Sequence, residues 1–318
     1  MDLRIVGGAK QSDAHKLERL VDLLHHPAIR AAFEARKSGN VLLPDSVDLS
    51  SHGPITFSPD TDGILDQGGE GDCEPSSGSA CMVTAASAQG SPLPFMPSVL
   101  TPYAGARAEE RALATPVGQP VPTMRQYGDT GLQTADLVNF YAKYGVTDRL
   151  LTPGLVNGLT PDGRFHDVWS ASDTGNPALD NVSDEPNMQT LIASGRRLVL
   201  GPYSIDLTKG NASDVLAAAL AANIPVQMAF FCDQAFQRLQ AGQVAAAPNL
   251  GDTTGGGHAV FINGYRILAG SRVFVLVNSW SKGWCAGGTT LVGDAWLGGA
   301  WEAWPYALQQ GAQQKEAT

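Results

Sequence analysis

The spacing of apolar positions divides the chain into helical and extended stretches. Leu17, Leu20, Val21 and Leu24 recur at i, i+3, i+4 and i+7, which predicts an amphipathic helix over 13–24 capped by Ser12 or Asp13. Pro27 stops that pattern, and 28–37 reads as a second short helix. Lys37–Asn40 marks a boundary, and Val41–Ser51 reads as extended. From Cys73 to about Gln89 the chain is rich in Ser and Ala and turns apolar from Met82 onward. A buried helix is expected there, with Pro75 in its first turn, where proline is tolerated. The Pro-rich stretch 92–123 reads mostly as loop. Leu137, Val138 and Tyr141 share one face of a helix over 134–144 that Gly145 closes. Residues 150–200 are polar, turn-rich and aperiodic. An Ala-rich helix follows over 213–222 and ends before Pro225. Val226–Phe230, His258–Tyr265 and Arg272–Val277 read as strands, the last two as sheet neighbours joined by a Gly-containing turn.

Composition narrows the class. The chain has 318 residues, 43% hydrophobic and 16% charged, an ordinary globular mixture with enough apolar surface for a sizeable core. Its formal net charge of -10 repels phosphate backbones, so nucleic acid is not an expected partner. The chain holds no apolar run long enough to cross a membrane, so no membrane association is expected. The first residues lack a basic segment followed by an apolar one, which predicts a cytoplasmic location. Cys73, Cys81, Cys232 and Cys285 are too sparse for a disulfide framework and form no CxxC pair, consistent with a reducing compartment. The six histidines show no metal-ligand spacing and no Walker-type glycine loop occurs, so neither metal nor cofactor is expected.

Three local patterns carry chemistry. They are Asp66-Gln-Gly-Gly-Glu-Gly-Asp-Cys73, then Gly255-Gly-Gly-His-Ala-Val260, then Val277-Asn-Ser-Trp280. A thiol nucleophile must lose its proton. A helix N-terminus helps because its N–H groups point at the sulfur, and a nearby imidazole takes the proton. The imidazole needs one fixed tautomer, which the carbonyl of an Asn side chain enforces. The tetrahedral intermediate needs oxyanion donors, which a Gln amide and the nucleophile's own backbone N–H supply.

In this order the three patterns resemble those of the papain family of cysteine peptidases: Gln-Gly-x-x-Gly-x-Cys opening a buried helix, then Gly-His-Ala, then Asn-Ser-Trp. The likeness is scattered over roughly residues 43–305 and includes Leu43–Asp48, Asp129–Gly145 and Leu216–Val226. It implies an α+β fold with a helical half, an antiparallel sheet half and the cleft between them. It implies Cys73 as nucleophile, His258 as base, Asn278 as the residue that orients it and Gln67 as oxyanion donor. Gly71, Gly257 and Trp280 are implied on the substrate-binding surface, with Trp280 also shielding the Asn–His bond. The expected activity is that of an endopeptidase acting on peptide or protein substrates. Residues 1–40 are expected as a helical extension, either a short propeptide or a cap, ahead of a catalytic domain over 41–318.

Two departures stand out. The interval from Cys73 to His258 exceeds the ~130–150 residues of close relatives, which predicts an insertion within 150–200. Glu74 replaces the aromatic residue that usually follows the nucleophile, and Glu70, Asp72 and Glu74 place three carboxylates around Cys73. Negative neighbours raise a thiol pKa. The cluster therefore motivates a second reading, a weakly active or inactive papain-like protein serving as a binding or structural module of a bacterial or phage assembly.

Overall fold

The computed structural model describes residues 9–11, 21–37, 43–57, 62–68, 71–121, 131–148 and 203–308. In chain order these residues form β1 (Ala9–Lys10), β2 (Val21–Asp22), α1 (Pro27–Lys37) and β3 (Ser46–Asp48). Next come α2 (Cys73–Ala88), α3 (Leu100–Ala114), β4 (Leu132–Gln133) and α4 (Thr134–Tyr144). Then follow β5 (Tyr203–Ser204), α5 (Ala212–Ala221), β6 (Val226–Cys232), α6 (Gln234–Gln237) and β7 (Val244–Ala245). The last are β8 (Gly256–Leu268), β9 (Ser271–Val277), β10 (Thr289–Val292), α7 (Asp294–Leu297) and β11 (Ala300–Pro305). The insertion expected within 150–200 lies outside the described residues.

The main sheet has the order β11-β6-β8-β9-β10-β7, with β3 pairing the far end of β8. All of its pairs are antiparallel except β10 with β7. Two apolar cores flank a seam. One joins α2, α3 and α4 through Met82, Tyr103, Leu137 and Phe140. The other fills the sheet half with Leu216, Phe230, Ile262, Phe274, Trp280 and Trp296. A third, small cluster lies between them and contains Cys73. The α+β architecture with a helical half and a mostly antiparallel sheet half is therefore the one the sequence resemblance implies.

Helix α2 is buried on every side from Cys73 to Ala86, which explains why its sequence shows no polar stripe. Gly78 makes that burial possible. A Cβ there would stand 2.7 Å from Leu137 Cδ2 and 2.9 Å from the Tyr306 hydroxyl, so α2 and α4 approach along a glycine.

Two stretches depart from the pattern-based reading. Residues 100–114 are helical rather than loop, because Pro102 falls in the first turn of α3, where no intrahelical N–H is needed. The Ala-, Glu- and Arg-rich remainder then favours helix. At the other end, 21–24 is not the tail of an amphipathic helix, and 13–20 lies outside the described residues. Val21–Asp22 pairs in parallel with β5, and a 3₁₀ turn over Leu23–His25 buries Leu23 completely. Asp22 caps that turn by accepting from the Leu24 N–H at 3.0 Å and holds Lys209 at 2.7 Å.

Candidate active site

Cys73 is the first residue of α2, so its sulfur sits where the helix presents unpaired backbone N–H groups. The preceding Asp72 makes no side-chain cap, leaving that end to Cys73. Gly71 is buried in the bend just before it. The thiol is fully buried. Burial pushes its pKa well above the usual thiol value, and the carboxyls of Glu74, when ionised, and of Asp72 push the same way. Backbone N–H groups of Ala259 and Glu74 pull in the opposite direction by stabilising the thiolate.

His258 lies on β8 and Asn278 directly after β9, so the antiparallel pairing of these strands brings the two together. His258 Nε2–H donates to Asn278 Oδ1 at 2.8 Å. The Ser279 backbone N–H donates to the same oxygen at 2.8 Å, which identifies that atom as the carbonyl end of the amide. The proton of the neutral ring is thereby held on Nε2, and Nδ1 is the basic nitrogen. Trp280 stacks on the imidazole with ring centroids 4.5 Å apart and planes 24° from parallel. Trp284 and Phe236 pack behind Trp280, and His258 and Asn278 are both buried. The His–Asn bond is dry, and a dry bond orients the ring more firmly than a solvated one.

Gln67 belongs to a segment that crosses from the helical half to the sheet half. Its backbone N–H donates to Ser279 O at 2.8 Å, and Ser281 N–H donates to Leu65 O at 3.0 Å. Gly68 turns the chain with φ of +65°, a backbone region that glycine enters without strain. The Ser279 hydroxyl donates to Gln67 Oε1. That bond fixes which way the amide faces and leaves Nε2 as its donor end. Sequence patterns assign no role to Ser279, although it stands between Asn278 and Trp280. The signal was present in the Asn-Ser-Trp spacing, but the hydrogen bond that gives it meaning spans 212 positions.

Of the acidic cluster, Asp72 and Glu74 are both buried. Glu74 turns inward and is fully buried. Thr134 Oγ1 donates to its Oε1 at 2.8 Å, and Gln227 Nε2 donates to its Oε2 at 2.7 Å. Burial raises its pKa well above the ordinary carboxyl value, and nearby Glu302 adds to the rise, while the Thr134 bond opposes it. Glu70 lies outside the described residues.

Of the other cysteines, Cys81 and Cys232 are core residues and Cys285 is half-buried; all four cysteines are free. Among the described residues no group of three or more His, Cys, Asp or Glu side chains could hold a metal ion, and no helix is long and apolar enough to cross a membrane.

Comparison with known proteins agrees with this geometry. Residues 201–294 match the model of the papain family cysteine proteases. No curated protein matches the chain. Among solved structures it resembles xylellain, a cysteine protease from Xylella fastidiosa, with a TM-score of 0.63 and 21% identity over 97% of this chain and 98% of that one. It also resembles digestive procathepsin L 3 of the Tenebrio molitor larval midgut, with a TM-score of 0.51 and 17% identity over 84% of this chain and 71% of that one. The fold, the family-model match over residues 201–294 and the ordered Cys, His and Asn patterns agree in making this chain similar to the papain family cysteine proteases.

Proposed function

We propose that the protein is an endopeptidase that cleaves peptide bonds through an acyl-enzyme on Cys73. The observation that carries this reading is the buried Nε2–H bond from His258 to Asn278 under Trp280, which fixes the tautomer a thiol-activating base requires. His258 Nδ1 takes the Cys73 proton, and the thiolate attacks the scissile carbonyl. The oxyanion is met by Gln67 Nε2–H and by the Cys73 backbone N–H. Collapse of the intermediate passes the proton from His258 to the leaving amine and leaves a thioester. Water, deprotonated by His258, then releases the acid and restores the thiol.

Residues 1–40 act on this reading as an N-terminal extension of a catalytic domain over 41–318. Support comes from β1, whose Ala9 packs in the same small cluster as Cys73. It pairs in parallel with β4, while Lys10 bridges to Glu110 at 3.0 Å. In this arrangement the extension covers the nucleophile, so its displacement precedes turnover. Peptide or protein substrates follow from the chemistry.

The deciding experiment is turnover of a mixed peptide library by wild type and Cys73→Ala after the extension is removed. Loss of about 10³-fold or more is expected for a missing nucleophile. Cleavage by Cys73→Ala at the wild-type rate would end the proposal.

A further inference from the structure

Cys73 and His258 stand on different halves of the molecule. Asn278 and Trp280 fix the imidazole within the sheet half, while the thiol is carried by α2 on the helical side. The reach from sulfur to ring nitrogen therefore depends on contacts that cross from one half to the other. A set of buried polar side chains at the start of α2, which the proposed chemistry does not use, makes such contacts.

Gln227 is their centre. It lies fully buried on β6 between Val226 and Met228, and the neighbouring strand β8 carries His258 opposite Phe230. A buried amide in an apolar strand is costly unless its donors and its acceptor are met. Here its Nε2 stands 2.9 Å from the Glu74 carbonyl oxygen, 2.7 Å from Glu74 Oε2 and 2.9 Å from Ser77 Oγ, so its two hydrogens grip the first turn of α2. Tyr306, directly after β11, donates its hydroxyl to Gln227 Oε1 and so settles which end of the amide faces the helix. Glu74 carries the grip further, because its Oε1 accepts from Thr134 on α4. The turn that begins with Cys73 is thus held from the sheet on one side and from α4 on the other. Gly78 lets the helix come this near, since a Cβ there would stand 3.2 Å from Gln227 Oε1. The Ala259 backbone N–H, next to His258 on β8, reaches the Cys73 sulfur itself.

Resting on the cysteine-peptidase reading, we infer that Gln227 is a positioning residue: through Glu74 and Ser77 it fixes the first turn of α2 against β6 and thereby sets the reach of Cys73 Sγ to His258 Nδ1. It touches neither the substrate nor the reacting atoms. Its effect lies in the hydrogen bonds of the amide and not in its volume, so an isostere without donors fills the space but does not hold the turn. A displacement of about 1 Å between reacting groups costs about 10²-fold in rate.

The test is a cycle of variants made in the full chain. The pKa of His258 is read by NMR from its labelled ring nitrogens, and the signal is assigned by its loss in His258→Ala. A thiolate within reach favours the imidazolium, so Cys73→Ala should lower that pKa by about one pH unit or more in an otherwise wild-type chain. Gln227→Met keeps the bulk and removes the donors. In that background the effect of Cys73→Ala should shrink to less than about half. Turnover of a cleaved library peptide should fall about 10²-fold in kcat with little change in KM. A residue that only supported the fold would lower stability in urea and leave both the coupling and kcat at their wild-type values. If Gln227→Met does not fold, Tyr306→Phe takes its place. It removes the hydroxyl that orients the amide and should weaken the coupling in the same direction by a smaller amount. A coupling of full size in whichever of the two variants folds overturns the inference and leaves the peptidase reading standing. No coupling in the otherwise wild-type chain would show that Cys73 and His258 do not act as a pair, and the peptidase reading would then fail together with the inference.

Discussion

Glu74→Gln gives a sharp test of how helix α2 is anchored. The carboxyl is fully buried and its pKa is raised, so between the ordinary carboxyl value of 4.5 and the higher folded-state value the folded protein keeps a proton that the unfolded chain releases. The native state then binds more protons than the unfolded state, and stability falls as pH rises through that window. The limiting slope for one such group is about 1.4 kcal/mol per pH unit. Glutamine is close to an isostere of the protonated acid. Its carbonyl accepts from Gln227 Nε2, and its amide donates to Thr134 Oγ1 once that hydroxyl rotates, so both hydrogen bonds persist. The variant should therefore match wild type below pH 4.5 and gain on it by up to about 1.4 kcal/mol for each pH unit above, until the folded-state pKa is passed. Glu74→Ala differs in kind. It leaves the Gln227 amide and the Thr134 hydroxyl buried without this partner, at about 1–3 kcal/mol for each group that finds no other acceptor. Urea unfolding at intervals from pH 4 to 8, with every protein in a Cys73→Ala background to prevent self-cleavage, measures the difference. Parallel stability curves for Glu74 and Glu74→Gln would mean that the carboxyl is ionised in the fold, and the argument from burial would fail. The same reasoning bears on the thiol. A neutral Glu74 does not oppose the Cys73 thiolate, so in protein freed of its extension Glu74→Gln should leave Cys73 alkylation unchanged in the acid range and accelerate it only where the wild-type carboxyl ionises.

Two further substitutions separate the parts of the proposed mechanism. Asn278→Ala removes the acceptor that holds His258 in one tautomer and should lower kcat by about 10²-fold or more, with a smaller change in KM, in steady-state assays on a cleaved library peptide. Gln67→Ala removes a proposed oxyanion donor and should lower kcat about 10²- to 10³-fold while leaving the rate of Cys73 alkylation unchanged, since alkylation forms no oxyanion. A matching fall in alkylation would show that Gln67 acts on the thiol or on the local fold instead.

Much of the site is readable from local sequence because its parts are local. A cysteine at a buried helix start needs only Gln67 to Cys73 and the small residues after it. A histidine and an asparagine on adjacent strands need only the alternation of His258–Tyr265 and Arg272–Val277. Their order along the chain then suffices to identify the architecture, since few folds bring three such segments together. Distant partners decided the rest. Whether Glu74 faces water or the core depends on Thr134 and Gln227, 60 and 153 positions away, and no pattern around Cys73 encodes them. Pro102 reads as a breaker until its place in the first turn of α3 is known. The short strand Val21–Asp22 took its conformation from pairing with Tyr203–Ser204, against a helical period that by itself looked sound. Ser279 gains its partner only through the hydrogen bond to Gln67, and Ala9 its burial only through packing beside Cys73. Periodicity records how a segment buries its own face. Which groups share a buried space is set by packing between segments far apart in sequence, and that packing buries Glu74 and sets its hydrogen-bond partners.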